Sequence, residues 1–77
     1  MDDIARSLVV KYIAQTFAPR KKYETYIFWQ CKTLQNWKFL ISTSLRDGMY
    51  YELTYNGDNN EWYLDAYKKI ENRLFML

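Results

Sequence analysis

The chain has no histidine, one cysteine, one proline and two glycines among its 77 residues. Each scarcity removes a class of function. Without histidine, the commonest acid–base group near neutral pH is missing, and with it every Ser-His or Cys-His nucleophile pair. An enzyme would have to rest on carboxylates or lysine. The densest acidic group, Asp58, Glu61 and Asp65, reads more simply as a helix cap and a solvated face. Cys31 has no partner for an internal disulfide, and one cysteine without histidine leaves no zinc site. On a strand beside Trp29 it reads as a small packed hydrophobe, and a lone thiol suits a reducing compartment. Gly48 and Gly57 are too few for a phosphate-binding loop, and both stand in turn contexts. No apolar run approaches the roughly 20 residues that span a bilayer, and the opening Met-Asp-Asp has the wrong sign for a secretory signal. The expectation is one soluble, intracellular, non-enzymatic domain with no metal and no cofactor.

Aromatic side chains, by contrast, make up 19% of the residues. A chain this short buries a small fraction of its surface and is marginally stable. Large rings, each able to bury roughly 150–250 Å², are one remedy. Self-association is another, so a monomer and a homodimer are both open. The net charge of +2, from 11 basic and 9 acidic residues, is too balanced to argue by itself for nucleic acid or a membrane.

Residues 2–17 read as an amphipathic helix. Asp2 and Asp3 suit its N-terminal end, Ile4, Leu8, Val9, Tyr12, Ile13 and Phe17 share one broad face, and Pro19 stops it. After the basic connection Arg20-Lys21-Lys22, residues 24–32 have strong β-propensity. Strict alternation puts Ile27, Trp29 and Cys31 on one side and Tyr26, Phe28 and Gln30 on the other, with no indication of which is buried. A turn at Gln35-Asn36 leads to a second strand over 37–44. The turn Arg46-Asp47-Gly48 leads to a third over 49–56, where Met49, Tyr51, Leu53 and Tyr55 alternate with Tyr50, Glu52, Thr54 and Asn56. Short connections make a three-stranded antiparallel meander.

The last third supports two readings. Asp58-x-x-Glu61 is a capping-box pattern, and Trp62, Tyr63, Ala66, Tyr67, Ile70, Leu74 and Leu77 fall on one helical face. Asn56-Gly57 alternatively favours a hairpin, with residues 61–67 returning as a fourth strand. The absence of Gly and Pro over fifteen residues favours the helix. The fold expected is therefore α+β, in the order αβββα, with αββββ as the alternative.

Two surface readings follow from the residues. One helix cannot hide both faces of an aromatic sheet, and exposed tyrosine is favoured at protein interfaces. Tyr26, Tyr50, Tyr51, Tyr63 and Tyr67 are therefore the candidate protein-binding residues. Alternatively, Arg20, Lys21, Lys22, Lys32 and Lys38 track phosphates while tyrosines stack on bases. The nine acids spread through the same chain speak for ordinary solubility instead.

The runs Cys31-Lys32-Thr33-Leu34-Gln35-Asn36, Asp47-Gly48-Met49-Tyr50-Tyr51-Glu52, Thr54-Tyr55-Asn56-Gly57-Asp58 and Tyr63-Leu64-Asp65-Ala66-Tyr67-Lys68-Lys69, with Glu71-Asn72-Arg73, resemble a family of short uncharacterised proteins. These come from phages and prophages of Gram-positive bacteria such as streptococci and lactobacilli. The resemblance covers roughly residues 26–77 and implies a setting, the bacterial cytoplasm, rather than an activity. Small phage proteins of this kind often block a host or defence protein by covering a surface, as anti-CRISPR proteins do, and a Cas9-type nuclease is the most concrete target. The order αβββα is also that of the double-stranded-RNA-binding domain. That domain begins its last helix with a Lys-Lys-x-Ala-Lys run, where this chain has Asn59-Asn60-Glu61-Trp62.

Overall fold

A computed structural model describes residues 1–77. The helix forms where the periodicity places it: α1 spans Asp2–Thr16. Asp2 and Asp3 lie in its first turn, where their charge complements the positive end of the helix dipole. The N-cap position is held by Met1 without a side-chain hydrogen bond. Ala5, Val9 and Ile13, spaced four apart, are its buried stripe. Ile4 and Phe17, expected on that stripe, lie at its margin and are nearly half exposed. Before Pro19, Ala18 takes a positive φ of 45° and so leaves the helical region, which a following proline disfavours.

Four strands follow: β1 (Thr25–Thr33), β2 (Asn36–Thr43), β3 (Met49–Asn56) and β4 (Glu61–Lys68). They form one antiparallel sheet in the order β1-β2-β3-β4. The fold is therefore α+β with one helix and four strands. The C-terminal helix expected from the capping pattern does not form, and the double-stranded-RNA-binding order goes with it. The physical reason lies in the pairing. As a strand, β4 satisfies the second edge of β3 over eight residue pairs. It also sets Trp62 against Tyr55 and Phe39, with ring centroids 5.0 and 6.2 Å apart. The aromatic content of Glu61–Lys68 suits a pleated surface, and Asp58 serves the β3–β4 loop rather than a helix.

That loop and the β1–β2 turn meet at one end of the sheet. Asn36 Oδ1 accepts the Gly57 N–H at 2.9 Å, and the Gln35 amide donates to Asp58. Gly57 lies so close that a Cβ there would overlap the Gln35 carbonyl. At the other end, Gly48 has φ 71° and Asp47 Oδ1 accepts the Met49 N–H at 3.0 Å, so the expected turn is an Asx-turn closed by glycine.

The helix lies on one face of the sheet. Ala5, Val9 and Ile13 pack with Phe39, Ile41, Tyr51 and Leu53, all fully buried, and these seven residues are the core. Leu64 and Trp62 of β4 and Ile27 of β1 pack around it. Residues 69–77 carry no regular structure.

Candidate functional site

Nothing covers the other face of the sheet. Because Phe39, Ile41, Tyr51 and Leu53 point to the helix, their neighbours Lys38, Leu40, Ser42, Tyr50, Glu52 and Thr54 point away from it. Through the pairing, so do Tyr63, Asp65 and Tyr67 on β4 and Tyr26 on β1. Strict alternation would turn Trp29 and Cys31 towards the helix beside Ile27. A β-bulge between Ile27 and Trp29 prevents this. The extra residue reverses the parity of the strand: Trp29 then pairs with Leu40 and Cys31 with Lys38, both on the open side. The bulged Phe28 ring lies 6.4 Å from Tyr50 and belongs to the same face. The expected grouping of Ile27 with Trp29 and Cys31 is thus replaced by Tyr26, Phe28, Trp29 and Cys31 together. Cys31 is exposed rather than packed.

Six large aromatic side chains share this open face: Tyr26, Phe28, Trp29, Tyr50, Tyr63 and Tyr67, each 36–54% exposed. Tyr50 and Tyr67, paired across β3 and β4, stack at 5.0 Å. Trp29, Cys31, Lys38 and Thr54 line a shallow groove of about 230 Å³.

Three of the tyrosines are tethered to carboxylates. Tyr26 Oη donates to Glu24 at 2.8 Å, Tyr67 Oη to Glu52 at 3.1 Å, and Tyr63 Oη to Glu61. Each bond favours the protonated phenol, and the adjacent negative charge adds to it, so all three hydroxyls titrate above their ordinary range. The bonds also hold the rings in fixed orientation. Glu24, Glu52, Glu61 and Asp65 give the face an acidic character against two cations, Lys38, which pairs with Glu52 at 3.1 Å, and Lys69, which follows Tyr67 with the same parity beside Gly48.

Of the five tyrosines singled out as protein-binding, four are on this face and one is not. Tyr51 is fully buried, with its ring 5.8 Å from Tyr12 under the helix. It takes the opposite parity to Tyr50 on β3. Its hydroxyl has no hydrogen-bond partner. Burial first, then the negative charge of Asp47, pushes its pKa up to about 12. Phe28, Trp29 and the tethering glutamates join the face without having been singled out. Recognising them in the sequence requires locating the bulge, which leaves no residue signature in Ile27-Phe28-Trp29.

The five basic residues of the alternative reading are not gathered into one surface. Lys21 and Lys22 line a cleft of about 680 Å³ with Arg6, between the helix and the start of β1. Arg20 lies in the same connection, whereas Lys32 sits 5.4 Å over the Trp37 ring on the helix side. Lys38 is on the opposite face, paired to Glu52.

The helix is too short and too polar to cross a membrane. No curated protein and no solved structure matches the chain. A family model does match, over residues 2–77, which is nearly the whole sequence and all five elements of the fold. The chain belongs to DUF6275, a family of unknown function.

Proposed function

We propose that this protein works by binding another protein through the open face of its sheet, and that it is a non-enzymatic phage or prophage product acting on a bacterial host or defence protein in the bacterial cytoplasm. The observation that supports the reading is the face itself. Six aromatic side chains lie uncovered on one rigid sheet, three with their hydroxyls already oriented by carboxylates. Rings held in place lose little entropy on binding and bring large contact area, the properties that make tyrosine and tryptophan interface anchors.

The charge of the face supports a partner with a basic surface. Four carboxylates against two lysines suit a basic surface, and proteins that handle nucleic acid present such surfaces to phosphates. A Cas9-type nuclease, with its positively charged nucleic-acid channel, is the specific target proposed. The same carboxylates oppose direct binding of nucleic acid to this face, and the scattered lysines offer no continuous phosphate track elsewhere.

The test is a cleavage assay with a purified streptococcal Cas9-type nuclease and titrated protein, repeated with Phe28→Ala/Tyr50→Ala. Inhibition by the wild type that weakens at least tenfold in the variant, and weakens with salt, is the expected result. No inhibition and no complex with the nuclease at any ratio would remove that target. Inhibition unchanged in the variant would remove the face.

A further inference from the structure

The cleft between α1 and the start of β1, about 680 Å³ in volume, plays no part in binding through the open face. Its charge is of the opposite sign. Arg6, Lys21 and Lys22 line it against one carboxylate, Glu24. None of the three cations is in an ion pair: the pairs in the chain join Met1 to Asp2, Lys38 to Glu52 and Arg73 to Glu71. Glu24 is engaged elsewhere, since its Oε2 accepts the Tyr26 hydroxyl at 2.8 Å. Three cations gathered in one cleft without counter-charge repel one another, so the arrangement favours an anion from outside the chain.

The walls of the cleft are fixed within the fold. Arg6 Nη1 donates to the Thr25 carbonyl at 2.8 Å and to the Thr25 hydroxyl at 3.3 Å. These bonds tie the helix to the strand and leave the N–H donors on Nε and Nη2 without a partner in the chain. The Glu24 N–H donates to Ser44 Oγ at 2.9 Å, and the Ser44 N–H donates to the Glu24 carbonyl at 3.0 Å. The chain entering β1 is thereby anchored to the residue that follows β2. Tyr23 packs against the core and, with Val10, gives the cleft an apolar wall. These are the parts of a phosphate-ester site. A held guanidinium offers its fork to phosphate oxygens, lysines add point charge, and a fixed aromatic ring takes a flat apolar body.

Charge and size select the ligand class. Three cations against one carboxylate leave two positive charges in the cleft. A phosphate monoester carries roughly −1.5 to −2 at neutral pH and balances them, whereas a carboxylate supplies half of that. Inorganic phosphate alone would leave most of the volume empty, and the cleft lies within the roughly 300–1,000 Å³ of small-molecule sites. We propose that this cleft binds a nucleoside monophosphate, with the phosphate held by Arg6, Lys21 and Lys22 and the base laid against Tyr23 and Val10. The site is separate from the open face and does not rest on its function.

The test is a titration of the isotopically labelled full chain with adenosine monophosphate, inorganic phosphate and adenosine, followed by amide chemical shifts. Saturable shifts at Arg6 and at residues 21–25 are expected with the monophosphate, with inorganic phosphate binding about tenfold more weakly and adenosine more weakly still. Lys21→Ala/Lys22→Ala removes two exposed side chains that make no hydrogen bond or ion pair in the fold, so circular dichroism should be unchanged while affinity falls about tenfold or more. Lys32→Ala, a cation outside the cleft, should leave affinity unchanged. Shifts absent at millimolar monophosphate, or an affinity that Lys21→Ala/Lys22→Ala does not lower, would overturn the site. Inorganic phosphate binding as tightly as the monophosphate would overturn the nucleoside. A single-stranded oligonucleotide binding the same residues more tightly than the monophosphate would overturn the proposal in favour of a nucleic-acid strand. None of these outcomes touches nuclease inhibition by Phe28 and Tyr50, so the cleft and the open face fail separately.

Discussion

On the helix side of the sheet, Phe39, Ile41, Tyr51 and Leu53 are fully buried; on the other side, Phe28, Trp29, Tyr50 and Tyr67 are uncovered although they are as large and as apolar. The two faces belong to the same strands and are separated only by the direction of each side chain. Composition therefore does not decide which face becomes core. The single helix does, through the narrow stripe Ala5, Val9 and Ile13, which is wide enough for the middle of one face and has no counterpart on the other. The face under the helix stabilises the fold. The other face is left with apolar area that stabilises nothing within the molecule.

The comparison can be broken most severely on the helix side. Phe39→Ala should cost about 3–5 kcal/mol, because the ring is fully buried between the helix and the Trp37 and Trp62 rings. Tyr50→Ala on the open face should cost about 1 kcal/mol, mostly its stacking with Tyr67. Urea unfolding of the two variants measures the difference directly, and equal costs would mean that the open face is packed in solution. Next in size is Gly57→Ala, where the added methyl overlaps the Gln35 carbonyl at the one point where two turns meet. A loss of about 1–3 kcal/mol is expected from the same measurement.

The third prediction concerns Tyr51, which has the chemistry of an interface tyrosine in the position of a core residue. Its pKa lies near 12 in the folded chain against about 10 unfolded. Above pH 10 the unfolded chain loses this proton while the folded chain keeps it, so stability falls as pH rises from 10 towards 12. Tyr26, Tyr63 and Tyr67 are shifted in the same direction and add to the fall. Tyr51→Phe should leave stability at pH 7 unchanged or slightly raised, since it removes a hydroxyl without a partner. It should also make the alkaline loss shallower. A steeper loss in the variant would contradict the burial of that hydroxyl. The smallest effect belongs to the open face: Lys38→Gln, removing a partly exposed pair with Glu52, should cost less than about 1 kcal/mol and nothing measurable in high salt.

Much of this contrast was legible in the sequence. The helix and the strands at 37–44 and 49–56 follow from periodicity and from turn residues whose physical demands are specific, Pro19, Asp47-Gly48 and Asn56-Gly57. Two things were hidden. Over residues 61–67, Trp62, Leu64 and Ala66 alternate as a strand while Trp62, Tyr63, Ala66 and Tyr67 also fit a helical stripe. What separates the two is the free edge of β3, which local sequence does not display. In β1 both sides are apolar, so alternation carried no sign of its own, and the bulge at Ile27–Trp29 then reversed it halfway. That reversal put Trp29 and Cys31 with the tyrosines, whereas Tyr51 was assigned to the surface for its residue type and lies in the core for its parity.

The bulge at Phe28 acts as a phase shift in a two-beat pattern. The same chain with Phe28 paired in register, without the bulge, would run in strict alternation from Thr25 onward. Trp29 and Cys31 would then turn under the helix, where Phe39 and Trp37 already fill the space, and Gln30 and Lys32 would come up onto the open side. One residue, chosen for neither charge nor chemistry, keeps the outer half of β1 hydrophobic where it faces solvent and polar where it faces the helix.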